Sequence, residues 1–408
     1  MKFLQICRRE LKEKLSDSII RALIELIFVA LGSFGMQKTR GILRQIIFKL
    51  GGFKPILRKL LLCFILFTYS CSDEPYVLVE FSPVNYNLAE MPYDNLSEYN
   101  FFEGNMKDLN PVYGVIPYEL ISSLFTDYSI KNRFLWIPDG KTANYISSSS
   151  VFDFPVGTIL IKNFSYDNIL PDLVSKNIET RLMIKKDSGW IFADYIWNED
   201  QTEAEFSLDG RVVDITWLQN GVEKTANYRI PSASECLTCH KMSDVAIPNG
   251  VKPRNINKTL EYSSHSMNQL DKWMEMGYLN TYPEDLESVV NWKDLSEPLE
   301  NRVRSYIDIN CAHCHSDNTH CEYRPIRLSY EATQDLANMG VCLTPDTNLG
   351  NGTDMVINPG NINRSVLHFR MTSNEEQYRM PLIGRSIVHD EAIAMIEEWI
   401  TSLDDDCN

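Results

Sequence analysis

The stretch CAHCH, Cys311 to His315, places two thiols and two imidazoles in five residues, and CLTCH, Cys236 to His240, repeats the pattern 75 residues earlier. Three chemistries compete for it. A structural zinc would take both cysteine pairs as a tetrahedral thiolate site. Ribbon pairs, however, lie about 15–20 residues apart, and zinc has no use for a histidine directly after each pair. A thioredoxin-type dithiol expects a βαβ setting, which the sequence lacks. Covalent haem c accounts for every position: two thiols on a helical turn form thioethers with the vinyl groups, and the next imidazole coordinates iron. Two covalently bound haem c groups are therefore expected, on Cys236 and Cys239 and on Cys311 and Cys314. His240 and His315 are the proximal iron ligands, and His313 is a bystander.

The other side of each iron decides the function. In QYRMPLIG, Gln377 to Gly384, Met380 precedes Pro381, which biases it toward extended backbone and lets a loop present the thioether ahead of a closing helix. A soft thioether favours Fe(II) and fills the coordination sphere. Met371 is the nearest rival; His368 and His389 read as surface or capping residues. For the first haem, Met242 is too near its proximal histidine, and Met274 and Met276 read as packing residues. His265 or Met267 stands where Met380 stands in the second; an open position or a ligand from the β region are the alternatives.

These side chains need elements to position them. Candidate strands are RFLWIP (133–138), TILIKNF (158–164), ETRLMIKK (179–186), WIFADYIW (190–197) and RVVDITWL (211–218), with Asp209-Gly210 and Asn220-Gly221 as two-residue hairpin signatures. Even spacing of such strands suggests an antiparallel sandwich or open barrel. After Pro231 the period becomes helical: residues 268–279, 299–310 and 392–403 each carry an apolar stripe, with Gly277 ending the first. The expected architecture is multi-domain, an N-terminal all-β part followed by two all-α cytochrome c-like haem domains. Its boundaries are leader 1–70, polar lead-in 71–110, β domain 111–232, first haem domain 233–295 and second haem domain 296–408.

Charge narrows the partners. The first 70 residues hold thirteen Lys/Arg against four acids, a net +9, so an overall charge of −16 leaves −25 on the remainder. A surface that acidic repels phosphate backbones, so no nucleic-acid partner is expected. Lys54, Arg58 and Lys59 precede the short apolar run Leu60–Ser70 and then Cys71, the pattern of a secretory signal. Cys71 is a candidate for lipidation, with plain secretion as the alternative. Export to the periplasm or to the outer-membrane or cell surface follows, with membrane association through a lipid anchor alone. The apolar run Ile19–Gly35, interrupted by Arg21 and Glu25, reads as an over-long start with the signal beginning near Met36; an extra membrane anchor is the alternative.

The segments Tyr118–Trp136, Phe152–Phe164, Ile230–His240, Ile309–His315, Ile357–Met371 and Arg379–Ile400 resemble an uncharacterised bacterial family of di-haem c-type cytochromes. The likeness covers most of the chain beyond the first 50 residues, and the two CxxCH motifs with MPLIGRSIVHDE are its specific parts. It implies a secreted electron-transfer protein exchanging electrons with redox protein partners, and it supports Met380 as a distal ligand. An electron carrier is thus expected ahead of two alternatives. One is a di-haem peroxidase-like oxidoreductase with an open first haem; the other is a β-domain binding module with tethered haems. In an oxidising compartment Cys321 and Cys342 are candidates for a disulfide, which leaves Cys407 unpaired.

Overall fold

The β-branched and aromatic run from Ile130 to Ile230 folds into a single antiparallel sheet. In the computed structural model, which describes residues 81–262, 265–404 and 407, it follows two short pairing segments, β1 (Phe102–Glu103) and β2 (Asn110–Pro111). The sheet is built from β3 (Ile116–Pro117), β4 (Ile130–Trp136), β5 (Ile159–Ile169), β6 (Val174–Lys186), β7 (Gly189–Trp197), β8 (Ala204–Phe206), β9 (Arg211–Gln219) and β10 (Val222–Ile230). The central strand β5 pairs with β6 along one edge, while its other edge is shared by β4 and, at Ile169, by β9. The β9–β10 hairpin closes on Asn220 and Gly221, both at positive φ, as a two-residue primed turn requires. Asp209-Gly210 is not a hairpin: β8 pairs with β7 and β9 with β10.

Side chains alternate across a strand, so this sheet has two apolar faces to cover. On one, Phe134, Trp136, Ile161, Leu182 and Tyr195 pack under Tyr93, Leu96, Tyr99 and Phe101. The segment expected as a polar lead-in is thus a core layer. On the other face, Leu135, Leu160, Met183 and Trp190 pack against Phe152, Phe154, Ile256, Leu270, Trp273, Leu279 and Ile309. The sheet is therefore covered by chain on both sides, neither a sandwich of two sheets nor a barrel.

The expectation of two all-α cytochrome domains is overturned. Beyond β10 the described residues hold seven α-helices: α1 (Ala233–Cys239), α2 (Pro253–Ile256), α3 (Gln269–Glu275), α4 (Leu299–Cys311), α5 (Leu336–Met339), α6 (Val366–Thr372) and α7 (Asp390–Ser402). Between them lie long irregular stretches and two short hairpins, β11–β12 (Lys241–Met242, Val245–Ala246) and β13–β14 (Thr259–Glu261, Ser266–Asn268). The three helices read from periodicity are present, and α3 is followed by Gly277 at positive φ. Their apolar stripes do not build two helical cores. That of α3 is spent on the sheet, through Leu270 and Trp273. Only α4 and α7 form a helical core of their own, with Val303, Ile307, Ile396 and Trp399 at its centre.

All of this belongs to one compact unit, Glu80–Asn408. The leader, residues 1–70, and Cys71 lie outside the described residues. Among the described residues no helix is long and apolar enough to cross a membrane.

Trp273 is fully buried where sheet and C-terminal chain meet, in edge contact with Tyr118 and near Phe152 and Phe154. Trp273→Ala is expected to cost about 3–5 kcal/mol, the usual penalty for emptying a large aromatic site. Far-UV and near-UV circular dichroism should then report one urea transition at lower midpoint. Separate transitions for strand and helix signals would mean independently folding domains.

Candidate functional site

Each CxxCH motif sits where a helix runs out. α1 begins on a capping box: Ser232 is the N-cap, and Glu235 Oε2 accepts from the Ser232 backbone N–H at 2.9 Å. The helix ends at Cys239, and His240 N–H donates to the Cys236 carbonyl at 2.9 Å. α4 ends at Cys311, and His315 N–H donates to the Cys311 carbonyl at 3.0 Å. The motifs thus repeat one turn geometry, with the imidazole one turn beyond the first thiol.

The histidines differ in how they are held. His240 Nδ1 pairs with the Ile247 carbonyl at 3.0 Å, and Ile247 N–H donates to the His240 carbonyl at 3.0 Å. With Nδ1 carrying the proton, the Nε2 lone pair is left for a metal, as at most metal-bound histidines. His315 Nδ1 is buried without a hydrogen-bond partner. Burial pushes both imidazoles down to about 4, so both are neutral at neutral pH and able to ligate. Burial also raises the first thiols, Cys236 to about 11 and Cys311 to about 12.

The 75 residues between the motifs fold back so that the two meet. Cys314 Sγ lies 3.6 Å from the Thr238 carbonyl, and Ser243 N–H donates to the Asn318 carbonyl at 2.9 Å. Cys239 Sγ, Cys314 Sγ and a His313 ring nitrogen all lie within 4.8 Å of one another. A hydrogen bond from Cys314 holds the Cys239 thiol well below the usual range, helped by His313, and raises that of Cys314. His313, expected as a bystander, stands at this junction.

CAHCH opens into a cleft that is partly continuous with solvent. Its walls are mostly apolar, among them Phe125, Leu328, Val356, Leu367 and Ile393, with Arg324 and Arg370 as cations. Cys311, Cys314 and His315 enter from one side. Met380 lines the same cleft across 65 residues of sequence, with Met371. A flat macrocycle bearing carboxylates fits this lining.

The Met380 loop is held by two buried groups the sequence reading did not single out. Arg385 donates to the carbonyls of Met380 (2.9 Å), Arg370 (3.0 Å), Met371 (3.1 Å) and Ser373 (2.7 Å), tying the loop to the end of α6. Asp127, between β3 and β4, accepts from Ser386 N–H (2.7 Å), Ser386 Oγ (2.9 Å) and Ile387 N–H (3.1 Å). Burial raises its carboxyl despite these bonds. His389, expected at the surface or as a cap, does take the N-cap position of α7, but its side chain makes no capping bond and is buried in the cleft wall. It stacks on Phe125 at 4.0 Å between ring centres and pairs with Tyr306 Oη at 3.1 Å. Of these, only His389 carried a chemical signal in sequence; Asp127 reaches the loop across 259 positions. His368 is away from this contact, paired with Glu397 at 2.7 Å.

For the first motif, no residue proposed as a distal ligand is brought into the CAHCH cleft. His265 and Met267 lie on the β13–β14 hairpin, whose Leu260 and Glu261 border a different cleft with Lys107, Glu119 and Arg133. The Cys321–Cys342 disulfide is not formed. Cys342 bonds to Cys407, with 5.2 Å between Cα atoms, and Cys321 is a buried free thiol. Sequence position hid this pairing, because α7 carries the tail back beside Cys342. No family model, curated protein or solved structure matches this chain.

Asp127→Asn keeps the side chain's shape but turns one acceptor into a donor facing Ser386. A loss of about 1.5–3 kcal/mol is expected, the range for hydrogen bonds to charged groups. Hydrogen exchange should accelerate at the Ser386 and Ile387 amides; unchanged protection there would remove Asp127 as the loop's anchor.

Proposed function

We propose that this protein is an exported di-haem c-type electron-transfer protein, with one haem on CLTCH and one on CAHCH. The observation that carries the reading is the convergence of Cys311, Cys314, His315 and Met380 on one apolar cleft. Haem c, when bound, supplies reversible one-electron iron chemistry. The chain's own contribution is positional. Cys311 and Cys314 present thiols from the end of α4, and His315 offers a neutral imidazole. Met380 offers a thioether from a loop fixed by Arg385 and Asp127, and the apolar walls limit water. Arg370 places positive charge in the cleft for carboxylates, while Arg324 is paired with Asp346 of the same lining. Contact between Cys239 and Cys314 supports exchange of electrons between the two attached groups, and the strongly acidic mature chain favours a basic redox partner. Export, and an anchor at Cys71, remain part of this proposal.

A second reading rests on the same junction. Cys239, Cys314 and His313 form a three-ligand N/S set within 4.8 Å, a combination suited to a zinc ion. It competes with haem for two of the thiols.

Protein matured with a haem-attachment system should give a pyridine haemochrome of two haems per chain. Met380→Ala should keep both haems, convert one from low to high spin, and lower its potential by at least about 100 mV, a modest part of the ~0.8 V that axial ligands span. One tightly bound zinc and no haemochrome would favour the second reading. Spectra and potentials unchanged in Met380→Ala would remove Met380 as ligand.

A further inference from the structure

Across the sheet face that meets the C-terminal chain runs a row of charges in register: Arg133 on β4, Lys162 on β5, Arg181 on β6 and Asp194 on β7. Lys131, beside Arg133 on β4, adds a fourth cation, and Glu179, beside Arg181 on β6, a second acid. The charges do not balance. Glu179 is fully engaged by Arg181 (Nε at 2.8 Å) and by Tyr228 Oη at 2.5 Å. Burial and the charge of Glu179 raise the Asp194 carboxyl well above the usual range, toward its neutral form.

Lys131 donates to the Ser129 carbonyl at 2.8 Å, whereas Arg133 and Lys162 have no ion-pair partner among the described residues. Arg133 is 6 % exposed, and its Nη2 is buried with no hydrogen-bond partner. Lys162 makes no hydrogen bond or ion pair among the described residues and lies over the Phe164 ring, 4.7 Å from its centroid. Burial among Arg133, Arg181 and Lys131 pushes its ammonium well below the ordinary lysine range. A buried cation without a partner costs several kcal/mol. Two adjacent strands contributing such cations at one level, beside the Glu179-bound Arg181 of the third, is the signature of a missing anion.

The row lies next to CLTCH. Phe192, two positions before Asp194 on β7 and on the same face, packs its ring 5.6 Å from that of His240. The charge of Lys162 reaches His240 and that of Arg181 reaches Cys236. Beside the row the same face offers the half-buried Phe192, apolar surface for a flat ring. An apolar floor with cations along one edge suits an aromatic macrocycle bearing carboxylates.

We propose that Arg133, Lys162 and Arg181 form a carboxylate seat, and that it takes the propionates of the haem carried by CLTCH. The second clause rests on the reading of CLTCH as a haem attachment motif; the seat itself does not. The β-sheet then has a functional role, which is to neutralise the first haem and set its potential.

The test pairs Lys162→Met with Lys162→Arg in haem-free and haem-loaded full-length protein, with succinate as the carboxylate probe. In haem-free protein, Lys162→Met should melt higher than wild type, because an uncompensated charge is gone. Millimolar succinate should raise the melting temperature of wild type and Lys162→Arg but not that of Lys162→Met. In haem-loaded protein the succinate shift should vanish, because the seat is filled. Lys162→Met should then lower the potential of the haem that Met380→Ala leaves untouched, with Lys162→Arg restoring it. Succinate shifts that are equal in wild type and Lys162→Met, or absent from both, would overturn the seat. A succinate shift that persists in haem-loaded wild type would overturn the propionate assignment. If no haem is found but succinate still discriminates the variants, the haem reading fails and the seat stands with a free carboxylate as occupant.

Discussion

The structure depends on one shared apolar layer, the face of the sheet on which Leu135, Leu160 and Met183 meet Trp273, Leu270 and Ile309. This layer fixes where α4 ends, because Ile309 is pinned to it two residues before Cys311. It fixes the first motif as well, because His240 packs against Phe192 on the same sheet. Two motifs that are far apart in sequence come to lie with their second thiols together because both are referenced to one rigid surface. An account in which each motif sits in its own helical domain has no such reference and leaves their separation free.

From that layer outward, polar groups finish the positioning. The Met380 loop carries little regular structure and would be free to move on its own. Arg385 gathers three carbonyls from the end of α6 and that of Met380 in the loop, and Asp127 receives its backbone from the β side. Such buried charge-assisted bonds hold only when their donors and acceptors are in register. The second site is thereby coupled to the sheet through Asp127, as the first is through Phe192.

Much of the sheet was legible. The strands and the Asn220-Gly221 turn follow from alternation and turn chemistry, which are local. So were the positions of α3, α4 and α7. What covers an apolar stripe is not local: α3 reads the same whether it meets a helix or a sheet, and here Trp273 meets a sheet, which removed the expected helical domains. Among candidate site residues, the CxxCH positions are set by motif chemistry, and Met380 proved to face the same cleft as His315. The burial of His389 and the Cys342–Cys407 bond were not legible, because their environments come from segments far off in the chain. The contact between Cys239 and Cys314 and the cation row have no signature in sequence spacing at all.

The central claim is covalent attachment of two haems at CLTCH and CAHCH, and denaturing intact-mass spectrometry of the matured protein tests it most directly. Thioether-bound groups survive unfolding, whereas a coordinated metal ion is lost. The account predicts a chain heavier than its polypeptide by two haems, reduced to one when Cys236 and Cys239 or Cys311 and Cys314 are replaced by alanine. A chain of bare polypeptide mass, from cells shown to mature other CxxCH proteins, would contradict it.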